Sequence, residues 1–372
     1  MGTGFAATSA WDRLALTIAA RFKHGIGAFA RGHIADSGTT GFGVAMQTEA
    51  IVLHRYGGPE ELVLEEVPLP EPGPGEILLR HVAINVNFHD TYVRTGQYHT
   101  LQLPGIPGLD AVGVVEALGP GVTGLAVGQR VAWISAAYGG YTARRVLRAD
   151  LAFALPDGMG DAQAAASLMK AFTVRMLVRD SCHLHPGDTV LVHAAAGGVC
   201  QLLCQWCKAL GARVIGTVSS EAKAEVARAC GADEIIFYRA EDFVARVMEL
   251  TGGVGVAAVY DSVGRDTFTG SLHCLDYSGT LVNFGQSSGP VAPFTPAELA
   301  TRSLTLTRPI LFHKIRSPDQ LAAYVADTLD AFDRGILRPI NPVVLPLAQA
   351  AEAHRILEAG KSPGGLVLVP GE

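Results

Sequence analysis

The apolar and polar positions change their period along the chain. AIVLHRY, ELVLEEVPLP and ILLRHVAIN are short, largely alternating runs, punctuated by EPGPGE and followed by the glycine-rich GIPGLDAVGVVEALGPGVTGLAVGQRVAW. Alternation broken by Gly and Pro predicts strands joined by tight turns, and VNFHDTYVRTGQYH falls inside that strand-and-turn run. From Asp161 to Val178 the spacing becomes helical, with Ala164, Leu168, Phe172 and Met176 on related faces. This predicts a helix leading out of a β-rich domain. From Thr189 onward, apolar runs (VLVHA, ARVIGTV, DEIIFYR, VAAVYDSVG, GTLVNFG) alternate with helical patterns such as EAKAEVARACGA and EDFVARVMELTGG. Such alternation predicts an α/β unit with a doubly wound parallel sheet. After Pro309, QLAAYVADTLDAFDRG and AQAAEAHRILEAG read as helices and GLVLVP as a last strand.

Within the α/β part, the stretch from Pro186 to Ala212 carries the first chemical signal. Val190, Leu191 and Val192 lead into small residues and the pair Gly197–Gly198, and then Val199, Leu203, Trp206 and Leu210 recur at helical spacing. A strand, a tight turn and a helix N-terminus bring backbone N–H groups close to a phosphate. The turn departs from Gly-x-Gly-x-x-Gly, with Ala195 and Cys200 at its outer glycine places. Alone it is consistent either with a nucleotide pyrophosphate site or with an ordinary strand-to-helix turn.

Composition narrows the field. The 372 residues have room for roughly two domains. At 49% hydrophobic and 17% charged, with a net charge of -6, the chain has no basic footprint for nucleic acid and no apolar run long enough to cross a membrane. Cys182, Cys200, Cys204, Cys207, Cys230 and Cys274 form no disulfide framework. Cys200, Cys204 and Cys207 fall on one helix face, where packing as small apolar residues is the favoured reading over a metal. Residues 1–45 are rich in Ala, Ser, Thr and Gly, with Arg13, Arg21, Lys23 and Arg31 against Asp12 and Asp36. They read either as a basic, acid-poor presequence or as residues upstream of a start at Met46, the second being favoured, and in neither case as part of the fold.

Seven motifs in order, INVNFHDTYVRTGQY, LMKAFTV, HAAAGGV, CQWCKALGA, VYDSVGRDT, NFGQSSG and TRP, carry a resemblance over essentially all of 46–372. The chain resembles the NADPH-dependent quinone oxidoreductases, the zeta-crystallin-like branch of the medium-chain dehydrogenase/reductase superfamily. The resemblance implies a GroES-like β-rich catalytic domain (46–172 and 311–372), a Rossmann-type NADPH-binding domain (173–310), and an active site between them. It sets the chain apart from the zinc alcohol dehydrogenases. Their Gly-His-Glu is Gly108–Leu109–Asp110 here, no Cys stands near Asn87 to Asp90, and none lies between Gln129 and Cys182. His54, His89 and Asp110 are not spaced as a zinc site, so no metal is expected.

By the same resemblance, Asn87, Asp90, Tyr92 and Tyr98 line the nicotinamide and substrate cleft, with Arg94 nearby. Lys170 and Thr173 meet the nicotinamide ribose and amide. Gly197, Gly198 and Val199 cradle the pyrophosphate, while Ser262, Phe284, Gly285 and Arg308 come from later strand ends. The second strand of the α/β part ends in Ser219 and Ser220, not in the carboxylate that holds an NAD ribose, which favours NADPH. Lys223 and Tyr238 match the family's 2′-phosphate residues. Glu221 adds a negative charge nearby, and Lys361 is the nearest cation where the family has a C-terminal arginine. The expected activity is metal-free reduction of small quinones. The alternatives are reduction of an enone, alkenal or enoyl-thioester double bond and, in another class, an NADPH-binding structural or RNA-binding role. A cytoplasmic location is expected, or a mitochondrial one if 1–45 is a presequence. Pairing through the edge strand around LTLTRP makes a homodimer the expected assembly.

Overall fold

Two large sheets and a small two-stranded one share the work of the chain in the computed structural model, which describes residues 46–371 with the exception of Pro363. The expectations for residues 1–45 lie outside the described residues. Strands β1 (Gln47–Leu53) and β2 (Leu62–Pro68) pair antiparallel with Leu53 opposite Leu62. A seven-stranded sheet follows, built on β3 (Glu76–Asn85), β4 (Asp110–Leu118), β5 (Arg130–Ile134), β6 (Arg144–Arg148) and β7 (Ala152–Ala154). Its inward positions, among them Ile77, Leu79, Ile84, Val115, Val131 and Trp133, are buried together. This is the core that the alternating pattern foreshadows.

One segment of the β-rich run is not a strand. Phe88–Arg94 is a short helix, α1, with Asn87 at its N-cap. The Asp90 carboxylate accepts the Asn87 backbone N–H at 2.8 Å, which satisfies a donor at the helix start that has no intrahelical partner. Val93 and Arg94 turn inward.

The helix Asp161–Arg175 (α2) is apolar nearly all round, as a helix enclosed on every side must be. It packs on β3 and β4 and on two further helices, Gly198–Ala209 (α3) and the later Pro318–Asp333. Phe172, fully buried on α2, stacks near Phe153 and Tyr324 with ring centroids 5.9 and 5.8 Å away. Beyond Arg175 the helix widens into a π-helical turn, Met176–Ser181.

The second sheet is parallel throughout, in the order β10-β9-β8-β11-β12-β13. Its strands are β8 (Thr189–Val192), β9 (Arg213–Val218), β10 (Glu234–Phe237), β11 (Val256–Asp261), β12 (Leu275–Asn283) and β13 (Thr305–Thr307). The connecting helices are α3, Glu221–Ala229 (α4), Phe243–Leu250 (α5) and Phe268–Cys274 (α6). The order turns back at β8, so the carboxyl ends of β8 and β11 border the crevice where doubly wound sheets bind ligands. On α3, Cys200, Leu203, Cys204 and Cys207 form the buried stripe, and all three thiols serve as packing.

The chain then returns to the first sheet. After α7 (Ala297–Ala300) and α8 (Pro318–Asp333), strands β14 (Val343–Pro346) and β15 (Leu366–Val369) pair in parallel. β15 joins β3 antiparallel, with Val367 opposite Asn85. Helix α9 (Ala350–Glu358) packs against α1. Because α2 touches both sheets' elements, Phe172→Ala is expected to cost about 3–5 kcal/mol, read from the midpoint of urea unfolding. A cost below about 1 kcal/mol would show that the α2 junction does not depend on this ring.

Candidate active site

Four elements send polar side chains into one buried knot. Lys170 on α2 donates to Asn85 Oδ1 at 2.8 Å and to the Ala166 carbonyl at 2.7 Å. The Asn85 amide, at the end of β3, donates to Asn87 Oδ1 and to Asp110 Oδ2, both at 2.9 Å. Asn87 donates to Asp110 Oδ1 at 2.8 Å. Asp110 opens β4, and its two oxygens are thus held by two asparagines. Every hydrogen-bonding atom of these amides is given a fixed orientation, which fixes the amide face of Asn87 as well.

The network runs on through Asp90. Tyr141 donates to Asp90 Oδ2 at 3.0 Å, and the Tyr141 oxygen lies 3.1 Å from His354 Nε2. His354 Nδ1 is 3.2 Å from Arg94 Nη1. A guanidinium only donates, so Nδ1 accepts and Nε2 carries the ring proton toward Tyr141. Arg94, almost fully buried, also grips Glu358 through two N–H groups at 3.1 and 2.5 Å and the Gly57 carbonyl at 3.1 Å.

Burial sets the electrostatics. It pushes the Asp90 carboxyl up to about 7 and Asp110 up to about 6, and it pushes Lys170 down to about 8. Asp90 Oδ1 has no hydrogen-bond partner among the described residues, as suits an acid that holds its proton to neutral pH. Asp90 is fully enclosed, so its contacts hold Asn87 and Tyr141 in place.

A second cluster joins α1 to the parallel sheet. The Tyr92 hydroxyl accepts the Gln286 backbone N–H at 3.3 Å, and the Tyr98 hydroxyl accepts from the Gln286 amide at 3.2 Å and from Arg308 at 3.4 Å. The rings of Tyr92 and Tyr98 meet at 5.1 Å. Arg308 is anchored on Asn283 Oδ1 at 2.5 Å, and Asn283 in turn donates to Asp261 at 3.3 Å. Asp261 also accepts from the Val263 and Gly264 N–H groups and from Thr267, which shapes the loop after β11.

The remaining expected residues stand around the carboxyl ends of the parallel strands. Ser219 follows β9, Tyr238 follows β10, Ser262 follows β11, Phe284 and Gly285 follow β12, and Arg308 follows β13. Two glycines are required by close approach: a Cβ on Gly198 would collide with the Gly364 carbonyl and the Lys170 stem, and one on Gly285 would press on the Ser262 backbone. Gly197 caps α3, and Val199 lies half-buried in its first turn. The Cys200 thiol donates to the His193 carbonyl at 3.2 Å. Thr173 donates to Met169 within α2 at 3.0 Å. Lys223, on α4, lies near Gly360 and has no ion-pair partner among the described residues, whereas Glu221 is paired with Arg228 at 2.5 Å.

Three features went unread in the sequence. Asn85 sits in the INVNF motif, where a buried amide at a strand end was a usable signal. Gln286 sits likewise in NFGQSSG, whereas the Tyr141–His354 pair had no signal, since the two residues meet only through tertiary packing. Among the described residues, no group of three or more His, Cys, Asp or Glu side chains could hold a metal ion.

A largely antiparallel GroES-like sheet, a parallel dinucleotide-type sheet and a polar cleft between their elements define a medium-chain dehydrogenase/reductase. The family described as "Alcohol dehydrogenase GroES-like domain" matches residues 73–167, and that described as "Zinc-binding dehydrogenase" matches 198–327. A quinone oxidoreductase of Pseudomonas aeruginosa is 44% identical over 316 residues, covering 85% of this chain and 97% of that protein. A 2-haloacrylate reductase of a Burkholderia species is 40% identical, covering 86% and 98%. The solved structure of Escherichia coli quinone oxidoreductase complexed with NADPH has a TM-score of 0.82 and 40% identity, covering 87% of this chain and 99% of that one. The chain belongs to the quinone oxidoreductase family.

The buried carboxyl gives a test. Folding raises the Asp90 value from 3.8 to about 7, so the folded state loses stability as pH rises between those values, where the unfolded chain gives up a proton that the buried group keeps. Asp90→Asn removes that loss. Its melting temperature relative to the unsubstituted protein is expected to climb between about pH 4 and 7 and to level off above that. A constant difference across that window would mean that Asp90 is already ionised at the lower end.

Proposed function

We propose that this chain reduces small quinones with NADPH, in the cleft between the α1 cluster and the carboxyl ends of the parallel strands. The observation that carries the reading is the meeting of Tyr92 and Tyr98 with Gln286 and Arg308, which sets an aromatic, hydrogen-bonding wall beside the strand ends. Relatives named quinone oxidoreductases, matched over nearly their whole length, support it.

The residues fit the cofactor. The turn at Gly197–Gly198 opens a twelve-residue helix, the place where a pyrophosphate is favoured. No carboxylate ends β9; Ser219 stands there, with the unpaired Lys223 and the exposed Tyr238 beside it, a set suited to a 2′-phosphate. When bound, the dinucleotide supplies the hydride. Lys170 uses two of its three N–H donors inside the protein, leaving one for the nicotinamide ribose. Asn87, locked by Asn85 and Asp110, presents a fixed edge to the ring. Burial pushes the Tyr92 phenol up to about 12, so it stays protonated and can donate to a quinone oxygen. Asp90 acts as a positioning residue behind Asn87.

We assign residues 46–172 and 311–372 to the catalytic domain and 173–310 to the cofactor domain. The edge strand β13 is the proposed seam of a homodimer. Among the described residues no helix is long and apolar enough to cross a membrane, and we place the protein in the cytoplasm.

The 2-haloacrylate reductase relative favours one second reading, hydride addition to an activated carbon–carbon double bond. NADPH oxidation measured with 1,4-benzoquinone against a 2-alkenal decides between them, and faster turnover of the alkenal would displace the quinone reading. For the cofactor, Lys223→Ala is expected to weaken NADPH about tenfold, roughly 1.4 kcal/mol, and NADH little, as read by fluorescence titration. Equal losses for both cofactors would remove Lys223 from the phosphate site.

A further inference from the structure

One cleft side chain has no part in the reading above. His89 stands on the first turn of α1, half-buried, with its ring 5.4 Å from that of Tyr98. Tyr98 is the residue whose hydroxyl meets Gln286 and Arg308, so the imidazole borders the same aromatic wall. On its other side, His89 Nε2 lies 2.8 Å from the Tyr138 oxygen, and that oxygen lies 2.6 Å from Thr100 Oγ1. Thr100 is exposed. His89 Nδ1 makes no hydrogen bond among the described residues. The three groups therefore form an unbroken polar line from solvent to the cleft, walled by aromatic rings.

We propose that Thr100, Tyr138 and His89 are a proton path from water to the reduced acceptor, with His89 as the catalytic residue at its inner end and the other two as relays. The inference rests on the quinone-reducing reading. Hydride transfer brings two electrons and one proton to the quinone, and leaves a hydroquinone monoanion that lacks one proton. The His89 Nδ1–H bond breaks as the new O–H bond forms on that anion. Nε2 takes the Tyr138 proton, Tyr138 takes the Thr100 proton, and Thr100 takes one from water, leaving hydroxide in solvent. Between turnovers, water in the emptied cleft returns a proton to Nδ1 and departs as hydroxide, while the line runs in reverse and hands the Nε2 proton through Tyr138 and Thr100 to the hydroxide in solvent. Burial pushes the imidazole down to about 4 and the Tyr138 phenol up to about 12, so both are neutral near pH 7, as a relay requires.

The test uses the full chain with NADPH and 1,4-benzoquinone, and the variants His89→Leu and Tyr138→Phe. Each is expected to lower kcat at least about tenfold, to leave NADPH affinity within about twofold, and to shrink the solvent deuterium isotope effect on kcat. Nitrogen NMR of the unsubstituted, cofactor-free protein is expected to find His89 protonated on Nδ1, a readout independent of turnover and of the variants' folding. Two variants with kcat within about twofold of the parent, or an imidazole protonated on Nε2, overturn the path while leaving the quinone reading intact. If the unsubstituted protein reduces no quinone, the functional reading fails and the path fails with it.

Discussion

A lysine amine and two carboxyl groups are shut away from water in one small volume, and the placement of the elements follows from that. Lys170, Asp110 and Asp90 are each buried, and isolated charges there would cost several kcal/mol apiece. Asn85 and Asn87 make the arrangement tolerable by linking ammonium to carboxylate through amides held at 2.8–2.9 Å. Each member comes from a different piece of structure: the end of β3, the start of β4, the middle of α2 and the first turn of α1. A shift of any one would strand a buried polar atom, so the network fixes the angle at which α1 faces the parallel sheet. The orientation of Asn87, of Tyr92 on α1 and of Tyr98 just beyond its end is inherited from it.

The aromatic bridge is a weaker joint of another kind. The contacts from Tyr92 and Tyr98 to Gln286 and Arg308 lie at 3.2–3.4 Å, and Arg308 is exposed. Such bonds are easily exchanged for bonds to a ligand, whereas the enclosed knot behind them is not. The cleft thus combines a rigid floor with a replaceable cover. Behind the turn at Gly197–Gly198, the Cys200 thiol bonds to the His193 carbonyl and lies 3.9 Å from Ser262 Oγ, so it occupies the space a third glycine would leave without an exposed sulfur.

Much of this was legible in the residue pattern because its signals are local. The alternation of AIVLHRY and ILLRHVAIN corresponds to β1 of the two-stranded sheet and β3 of the seven-stranded one, and the strand–helix cycle after Thr189 to the parallel sheet. Phe88–Arg94 was not legible as a helix. Its seven residues bury only part of one face, and what stabilises it is the Asp90 bond to Asn87 and the Arg94 grip on Glu358, a partner more than 260 positions away. For the same reason Tyr141 and His354 carried no signal. Arg308 and Tyr98 could be selected by resemblance, but that they touch each other follows only from the fold.

The pairing of β15 with β3 sets Val367 opposite Asn85. The strand that finishes the wall beside Asn85 is therefore supplied from beyond the whole parallel sheet in the chain. While the parallel sheet can form from its own segment, the polar end of β3 keeps an open edge until residues 366–369 dock on it. A long-range closure of this kind is slow, and an open strand edge is prone to mispairing in the interval. The wall beside Asn85 is thus completed only when the segment that follows the parallel sheet has folded back onto the first sheet.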